Sequence, residues 1–307
     1  MHNFVIDAGQ TGVRLRQLSS GSDLASAQDF EYPGLRTNEP IVGQMAQIII
    51  DHAERLSSQP ETVSIAMTGL TGPEATVDQL FELLKPHGVK EVIIAHDSIS
   101  GFLGALGLNQ GAVTASGTGV VTLALGEEKF ARVDGWGNIM GDAGSGYWIG
   151  SEALDLAMRA HDGRIESTKL LDLMQSHYPN VEEAYIELQQ DSNRVARVAS
   201  LAKEVIALAE TDARAKDIVE RAAHELVVAI DAGLRRVGFD RAGSPRISWA
   251  GKIAGNPLVS ILMTAELASL WPNALIIEPL GEPIDGVALL SSISATHPLA
   301  SQVYRRQ

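Results

Sequence analysis

Two stretches of this chain share one grammar, and that repeat constrains the fold more than any other feature. "NFVIDAGQTGVRLRQL" (Asn3–Leu18) places β-branched and aliphatic residues on both sides of a turn containing Gly9 and Gly12. "GAVTASGTGVVTLALG" (Gly111–Gly126) does the same around Ser116–Gly119. Each reads as strand, tight turn, strand. Thr11-Gly12-Val13 matches Thr118-Gly119-Val120. A hairpin that returns at long spacing suggests two related domains. The matched run is short, so chance is the competing explanation.

The segments between and after the hairpins alternate in type. "IVGQMAQIIIDHAERLS" (Ile41–Ser57) carries apolar residues at helical spacing, while "TVSIAMTGL" and "EVIIAHDS" read as buried strands. After Gly150 helical patterns dominate: "SEALDLAMRAHDG", "ESTKLLDLMQSH" and "VEEAYIELQQ". The long stretch from Asn193 to Gly238 is predicted to hold two helices, broken near Thr211-Asp212. "RISWAGKIAGN" and "NALIIEPLGEP" are strand-and-turn signals, and an apolar helix in "PIDGVALLSSIS" precedes a polar tail. Strands alternating with helices argue for an α/β fold. No low-complexity linker is present, so a domain boundary is expected as a close hinge, with Gly111 the candidate.

Composition narrows the function. The 307 residues are 45% hydrophobic and 20% charged, ordinary for a soluble chain long enough for two domains. There is no cysteine, which removes disulfides, thiolate zinc sites, cysteine-held iron–sulfur clusters and a cysteine nucleophile. With 24 basic against 38 acidic residues the net charge is −14, and a field of that sign disfavours nucleic acid and anionic membranes. No apolar run reaches the roughly 18 residues of a membrane span. "MHNFVIDAGQTG" lacks a basic segment ahead of a longer apolar core, so no signal peptide is read and a cytoplasmic location is expected.

Several short stretches can carry chemistry. In "DAGQTGVR" the backbone N–H groups of a turn can form a nest for phosphate oxygens, with the Thr11 hydroxyl as a further donor. Asp7, at the strand end, can hold Mg²⁺ directly or through water. The alternative is a hairpin whose glycines only satisfy turn geometry. "SGTG" (Ser116–Gly119) offers the same two readings, and two such turns in related halves can clamp a polyphosphate from both sides. Neither is a Walker A loop or a Rossmann fingerprint. In "EVIIAHDSISGFLGALG", Asp97 follows an apolar strand and precedes a helix. It can cap that helix, or act as a general base at a strand's carboxyl end. The His96-Asp97 pair also fits a metal phosphohydrolase, but the other histidines show no supporting spacing. There is no H-E-x-x-H and no G-x-S-x-G. Finally, "GWGNIMGDAGSGYWIG" (Gly135–Gly150) sets glycines beside Trp136, Trp148 and Asp142. Such a loop brings backbone close to a ligand, or packs its aromatics into the core, as is expected of Trp148.

"DAGQTG", "HDSISGFLGA", "SGTG", "GWGNIMGDAGSGYWIG" and "AGKIAGN" occur in that order, and the pattern resembles the BadF/BadG/BcrA/BcrD-type ATPases, within them the N-acetylglucosamine kinases. The family belongs to the actin, Hsp70 and sugar-kinase superfamily. The resemblance covers nearly the whole chain, and the glycine- and tryptophan-rich run is its most specific part. It implies an α/β fold of two RNase H-like (actin-like ATPase) domains with a nucleotide and sugar cleft between them. The domains expected are 1–110 with a returning helix at about 284–307, and 111–283.

The same resemblance implies roles. Asp7, Gly9, Gln10 and Thr11 match the first phosphate loop, with Asp7 also serving Mg²⁺ through water. Ser116, Gly117, Thr118 and Gly119 match the second loop, Gly251 the adenosine turn, and Ala209 a nucleotide contact. Asp97 matches the base that takes the sugar hydroxyl proton. Asn38, Thr68, Gly69, Gly135, Trp136, Gly137 and Asp142 match sugar contacts. The implied activity is transfer of the ATP γ-phosphoryl group to the 6-hydroxyl of N-acetylglucosamine by a homodimer, with ATP and Mg²⁺ as cofactors. Glucosamine, or another amino sugar or hexose, is the alternative substrate. A partner-coupled ATPase and a non-catalytic sugar sensor are the readings from other classes. Three positions depart from the pattern: Gln10 stands for a second glycine, Lys252 follows Gly251 where a glycine–valine turn is common, and Ala143 replaces a frequent Glu.

Overall fold

The computed structural model describes residues 2–9, 12–19, 27–36, 39–56 and 59–307. They fall into two compact units: Met1–Gln110 with Glu127–Phe130 and Glu278–Gln307, and Gly111–Gly126 with Ala131–Ile277.

The first unit is built on β1 (His2–Ala8), β2 (Gly12–Ser19) and β3 (Asp29–Pro33), an antiparallel meander. Helix α1 (Ile41–Leu56) buries Met45, Ala46, Ile49 and His52 at helical spacing and leads to β4 (Pro60–Met67), parallel to β1. Helix α2 (Pro73–Leu84) leads to β5 (Glu91–His96), parallel to β4, and α3 (Asp97–Leu106) follows directly. The near-continuous apolar character of β4 and β5 is that of parallel strands covered on both faces. Register fixes what meets at one end of the sheet. Ala8 pairs with Met67, and Met67 with His96, so the turn after β1, Thr68 and Asp97 leave the sheet side by side.

The second unit repeats this plan. Its sheet holds β6 (Gly111–Ser116), β7 (Val120–Leu125) and β8 (Phe130–Asp134). A helical region follows: α4 (Gly146–His161), α5 (Lys169–His177), α6 (Ala184–Gln190), α7 (Arg194–Ser200), α8 (Ala202–Leu208) and α9 (Ala213–Arg236). Strand β9 (Arg246–Ala250) is parallel to β6, and after α10 (Pro257–Leu270) the two-residue β10 (Leu275–Ile276) is parallel to β9. Its strand order is β8-β7-β6-β9-β10, and that of the first unit is β3-β2-β1-β4-β5 with one strand added. Both are the three-two-one-four-five order of the RNase H-like plan expected above.

The last segment lies in the first unit. Before α11 (Pro283–Leu289), Leu280 and Gly281 donate to the carbonyls of Ala105 and Gly104 at 3.0 and 2.9 Å. Arg14 pairs with Glu282, and buried Arg16 reaches Asp285 at 2.5 Å and Asp29 at 2.6 Å. Two expectations need correcting. The tail read as merely polar forms β11 (Val303–Arg306), antiparallel to β5, although only Val303 and Tyr304 are apolar enough to signal it. The stretch from Asn193 holds three helices, not two. The break at Thr211-Asp212 is there because the Asp212 carboxylate caps α9, accepting from Arg214 and Ala215 at 2.9 and 3.0 Å. The further break at Leu201 has no capping side chain, only a tightened turn from its N–H to the Val198 carbonyl at 3.2 Å. Among the described residues no helix is long and apolar enough to cross a membrane.

Candidate functional site

In the first unit the chemistry gathers at the carboxyl ends of β1, β4 and β5. The β1–β2 turn is closed by the Gly9 N–H donating to the Gly12 carbonyl at 2.9 Å, while the Gly9 carbonyl accepts from Leu35 at 3.0 Å. Gln10, Thr11 and Asn38 lie outside the described residues. Asp7 faces Arg14 across the β1–β2 ladder and lines a cavity of about 460 Å³ with Gly12, Arg14, Glu31, Tyr32 and Glu282. Its carboxyl is pushed up to about 6, by burial first and then by the charge of Asp97; Arg14 opposes the shift and Glu282 adds to it.

Asp97 is the first residue of α3, immediately after β5, and its carboxylate is surrounded by donors. The Thr68 hydroxyl and the Ser98 N–H donate to it, and His96 Nδ1 lies 2.8 Å from its Oδ1. Burial pushes this carboxyl up, but the hydrogen bonds and charge of His96 with the Ser98 and Thr68 donors outweigh burial, and the net shift is down. Thr68 is itself anchored by its N–H to the Ala8 carbonyl at 3.0 Å, and Gly69 follows with φ 65°. Asp7, Thr68, Gly69 and Asp97 are therefore brought together. Of the two readings of Asp97, the cap position itself falls to His96, whose Nδ1 accepts from the Ser98 N–H at 3.2 Å, and Asp97 is the first helical residue.

In the second unit the Ser116–Gly119 turn lines a cavity of about 690 Å³. Its walls include Gly117, Thr118, Lys203 and Ile206 of α8, Gly251, Lys252 and Asn256. Gly251 has φ 95°, and a Cβ there would overlap the Ser116 backbone, so only glycine lets the turn after β9 close on the turn after β6. The Ile253 N–H then donates to the Ser116 carbonyl at 3.0 Å. Ser116 is fully buried, with its hydroxyl on the Gly144 carbonyl at 3.3 Å, whereas Thr118 is exposed. Ala209 is buried at the end of α8 and is not among the lining residues. Lys203, Ile206, Lys252 and Asn256 were not anticipated as site residues; only the Lys252 departure signalled this wall in the sequence.

The glycine- and tryptophan-rich loop divides in two. Asp142, 7% exposed with φ 65°, accepts from the Val120 N–H at 3.1 Å, and its own N–H donates to the Asp134 carboxylate at 2.9 Å. A Cβ on Gly119 would press on the Asp142 carboxylate, so Asp142 braces the second turn. Burial raises its carboxyl, Val120 lowers it and Asp134 raises it, for a net rise. Trp136 is 55% exposed, with the Arg132 guanidinium 4.7 Å from its ring centre, and Gly135 and Gly137 flank it at φ 78° and 77°. Trp148, as expected, packs against the core.

Among the described residues no group of three or more His, Asp or Glu forms a ready metal cage. Mg²⁺ does not need one, since it keeps several waters and takes one or two carboxylates with substrate phosphates. A cation beside Asp7 would offset the burial, and then the charge of Asp97, that raise its carboxyl.

The sequence pattern of the BadF/BadG/BcrA/BcrD ATPase family matches residues 43–291. An N-acetylmuramic acid/N-acetylglucosamine kinase of Clostridium acetobutylicum is 28% identical over 207 residues, covering 64% of this chain and 66% of that protein, just under two thirds of its length. An N-acetyl-D-glucosamine kinase of Dictyostelium discoideum is 27% identical over 289 residues, 89% of this chain and 86% of that protein. The solved structure of a candidate N-acetylglucosamine kinase from Chromobacterium violaceum superposes with a TM-score of 0.70 at 20% identity, over 94% of this chain and 98% of that one. The fold is thus that of the actin-like ATPases.

Proposed function

The chain belongs to the BadF/BadG/BcrA/BcrD ATPase family, and on that premise we propose that it is an ATP-dependent sugar kinase that phosphorylates the 6-hydroxyl of N-acetylglucosamine. The observation that carries this reading is Asp97, a carboxylate at the end of a parallel strand held ionised by three neighbouring groups. The two kinases named above lend the sugar class.

Phosphoryl transfer needs positioning and charge stabilisation more than covalent help. Asp97 orients the 6-hydroxyl and takes its proton as the oxygen–phosphorus bond forms. Gly9, Gln10 and Thr11 in one turn, and Gly117, Thr118 and Gly119 in the other, donate to phosphate oxygens. Ser116 and Asp142 serve by holding the second turn in shape. The nucleotide occupies the cavity beside Gly251, with Ala209 behind its wall. Asn38, Thr68, Gly69 and the Gly135–Gly137 backbone contact the sugar, and Trp136 offers an aromatic face to its apolar side. Asp7 is the residue that would hold Mg²⁺, through water, and the ion would supply neutralisation of charge on the phosphates. The working form is a cytoplasmic homodimer, which sedimentation of the pure protein would check.

The test is coupled ADP release with Mg-ATP across a panel of sugars. ADP release dependent on N-acetylglucosamine, with a 6-phosphate product, is the expected result. Dependence on glucosamine would keep the kinase and change the substrate, and release indifferent to every sugar would overturn the kinase reading. Asp97→Asn is expected to lower turnover by about 10²–10⁴-fold with ADP affinity retained, and near-normal turnover would remove the base assignment.

A further inference from the structure

We propose that His96 is the positioning residue of the Asp97 carboxylate: its Nδ1–H donates to Asp97 Oδ1, which fixes the orientation of that group and leaves its other oxygen to take the proton of the sugar hydroxyl. This rests on the reading of Asp97 as the base.

The geometry around Nδ1 carries the inference. It lies 2.8 Å from Asp97 Oδ1 and 2.9 Å from Ser98 Oγ, and it accepts from the Ser98 N–H at 3.2 Å. A backbone amide can only donate, so Ser98 presents its hydrogen to the Nδ1 lone pair. An ionised carboxylate can only accept, so Asp97 draws a proton from the same nitrogen. Nδ1 therefore sits between one neighbour that favours its bare form and one that favours its protonated form. The contact to Oδ1 is the shorter, 2.8 against 3.2 Å, so the proton lies between Nδ1 and Oδ1.

The proton path balances. The hydroxyl O–H bond breaks, and its electron pair forms the new oxygen–phosphorus bond while ADP leaves with the pair of the broken one. The proton passes to the second oxygen of the Asp97 carboxylate, while the Nδ1–H contact to Oδ1 stays in place, and leaves to water after transfer. The His96 side chain is 44% exposed, so solvent reaches the ring. The other groups bearing on Asp97 come from neighbouring elements: the Thr68 hydroxyl after β4, and Asp7 on β1, itself acted on by Arg14 and Glu282. None of these offers a ring N–H to Asp97. The down-shift of Asp97 agrees with a partner that helps hold its charge.

His96 also caps α3, so its two roles must be separated. His96→Asn keeps a side-chain acceptor suited to a helix cap but cannot titrate, whereas His96→Ala loses both. The measurement is kcat, KM for sugar and for ATP, the pH profile of kcat/KM, and the melting temperature. For His96→Asn we expect an unchanged melting temperature and KM for ATP and a kcat about tenfold lower. The acid limb should also move up by about one pH unit, because burial of Asp97 is no longer offset. His96→Ala adds a loss of stability. Wild-type kcat and an unmoved acid limb in His96→Asn would overturn the proposal.

The two readings fail separately. Near-normal turnover in Asp97→Asn removes the base and, with it, this inference. An inactive Asp97→Asn beside a kinetically normal His96→Asn removes only the role of His96. On the residual turnover of Asp97→Asn, adding His96→Asn should have no further effect. A further loss equal to that in the wild-type background would show that His96 acts independently, and would also overturn the proposal.

Discussion

The two hairpin turns occupy the same place in sheets of the same order, yet their chemistry differs. In the first unit, the strand before the turn carries Asp7 one residue from its end, opposite Arg14, with Asp97 and Glu282 acting on its charge. Aligning Thr11 with Thr118 puts Thr114 at the place of Asp7. Thr114 is fully buried and hydrogen-bonded at 2.8 Å to Thr122, across the β6–β7 pair. The second turn is held by backbone contact with Gly251 and by Asp142. One copy concentrates charge at half-buried positions on its strand; the other carries a threonine pair there and is sterically fixed. Under the proposed function, the charged turn is the one for reaction and the sterically fixed turn the one for holding nucleotide.

The harshest way to break this contrast is at the sterically fixed turn. Gly251→Ala would force a Cβ into the Ser116 backbone at φ 95°, straining both turns by roughly 1–3 kcal/mol. ADP affinity, measured by calorimetry, should fall about tenfold or more. Unchanged affinity would mean that the second turn is not held by shape.

Asp7→Asn sharpens the contrast from the charged side. The folded carboxyl titrates at about 6 against an ordinary 3.8, so between these values the folded chain binds more protons than the unfolded one. Stability from this group is therefore present at low pH and lost as pH rises through 6. Asparagine removes the half-buried charge, and the variant should be more stable at pH 8 by about 1–2 kcal/mol, allowing for solvent screening. The gain should vanish below pH 4, while turnover with Mg-ATP falls. Urea unfolding at the two pH values measures it, and a destabilised variant at pH 8 would contradict a charge held at a cost for function.

The same contrast explains what was legible in the sequence. The paired hairpins were readable because a glycine-bearing turn between apolar runs is a local signal, and the expected α/β repeat is seen in the matching sheet orders. Asp97 was readable from its place between an apolar run and a helical pattern. Its surroundings were only partly so: His96 and Ser98 are adjacent in sequence, but Thr68 arrives through parallel register. Lys203 and Asn256 join one cavity wall through tertiary packing that periodicity does not report. The bracing role of Asp142 was hidden for a similar reason, because its partner Val120 lies 22 residues away on another element. Strand β11 escaped because its pairing is supplied by β5 rather than by its own polar sequence.

The smallest effect concerns a charge that the first unit keeps out. His52 is buried on α1, with ring centres of Phe30, Phe4 and Tyr32 at 4.6, 5.1 and 5.9 Å. Its Nδ1 meets the Tyr32 hydroxyl, and its Nε2 has no partner. Burial first, and then the charge of Arg55, push its imidazole below the ordinary 6.5. The unfolded chain therefore takes up this proton before the folded one, and stability falls as pH drops below 6.5. One such group contributes at most about 1.4 kcal/mol per pH unit. Asp7 acts in the opposite direction over part of the same range, and His297 in the same direction, so the whole-protein curve does not isolate it. The comparison that does is wild type against His52→Leu, which fills similar space without a titrating nitrogen and should flatten the slope between pH 6.5 and 5. The histidines of the second unit are all exposed, so hydrogen exchange in acid should quicken along α1 and not along α9. Equal quickening in both helices, or an unchanged slope in His52→Leu, would show that acid acts on the chain as a whole rather than through this buried ring.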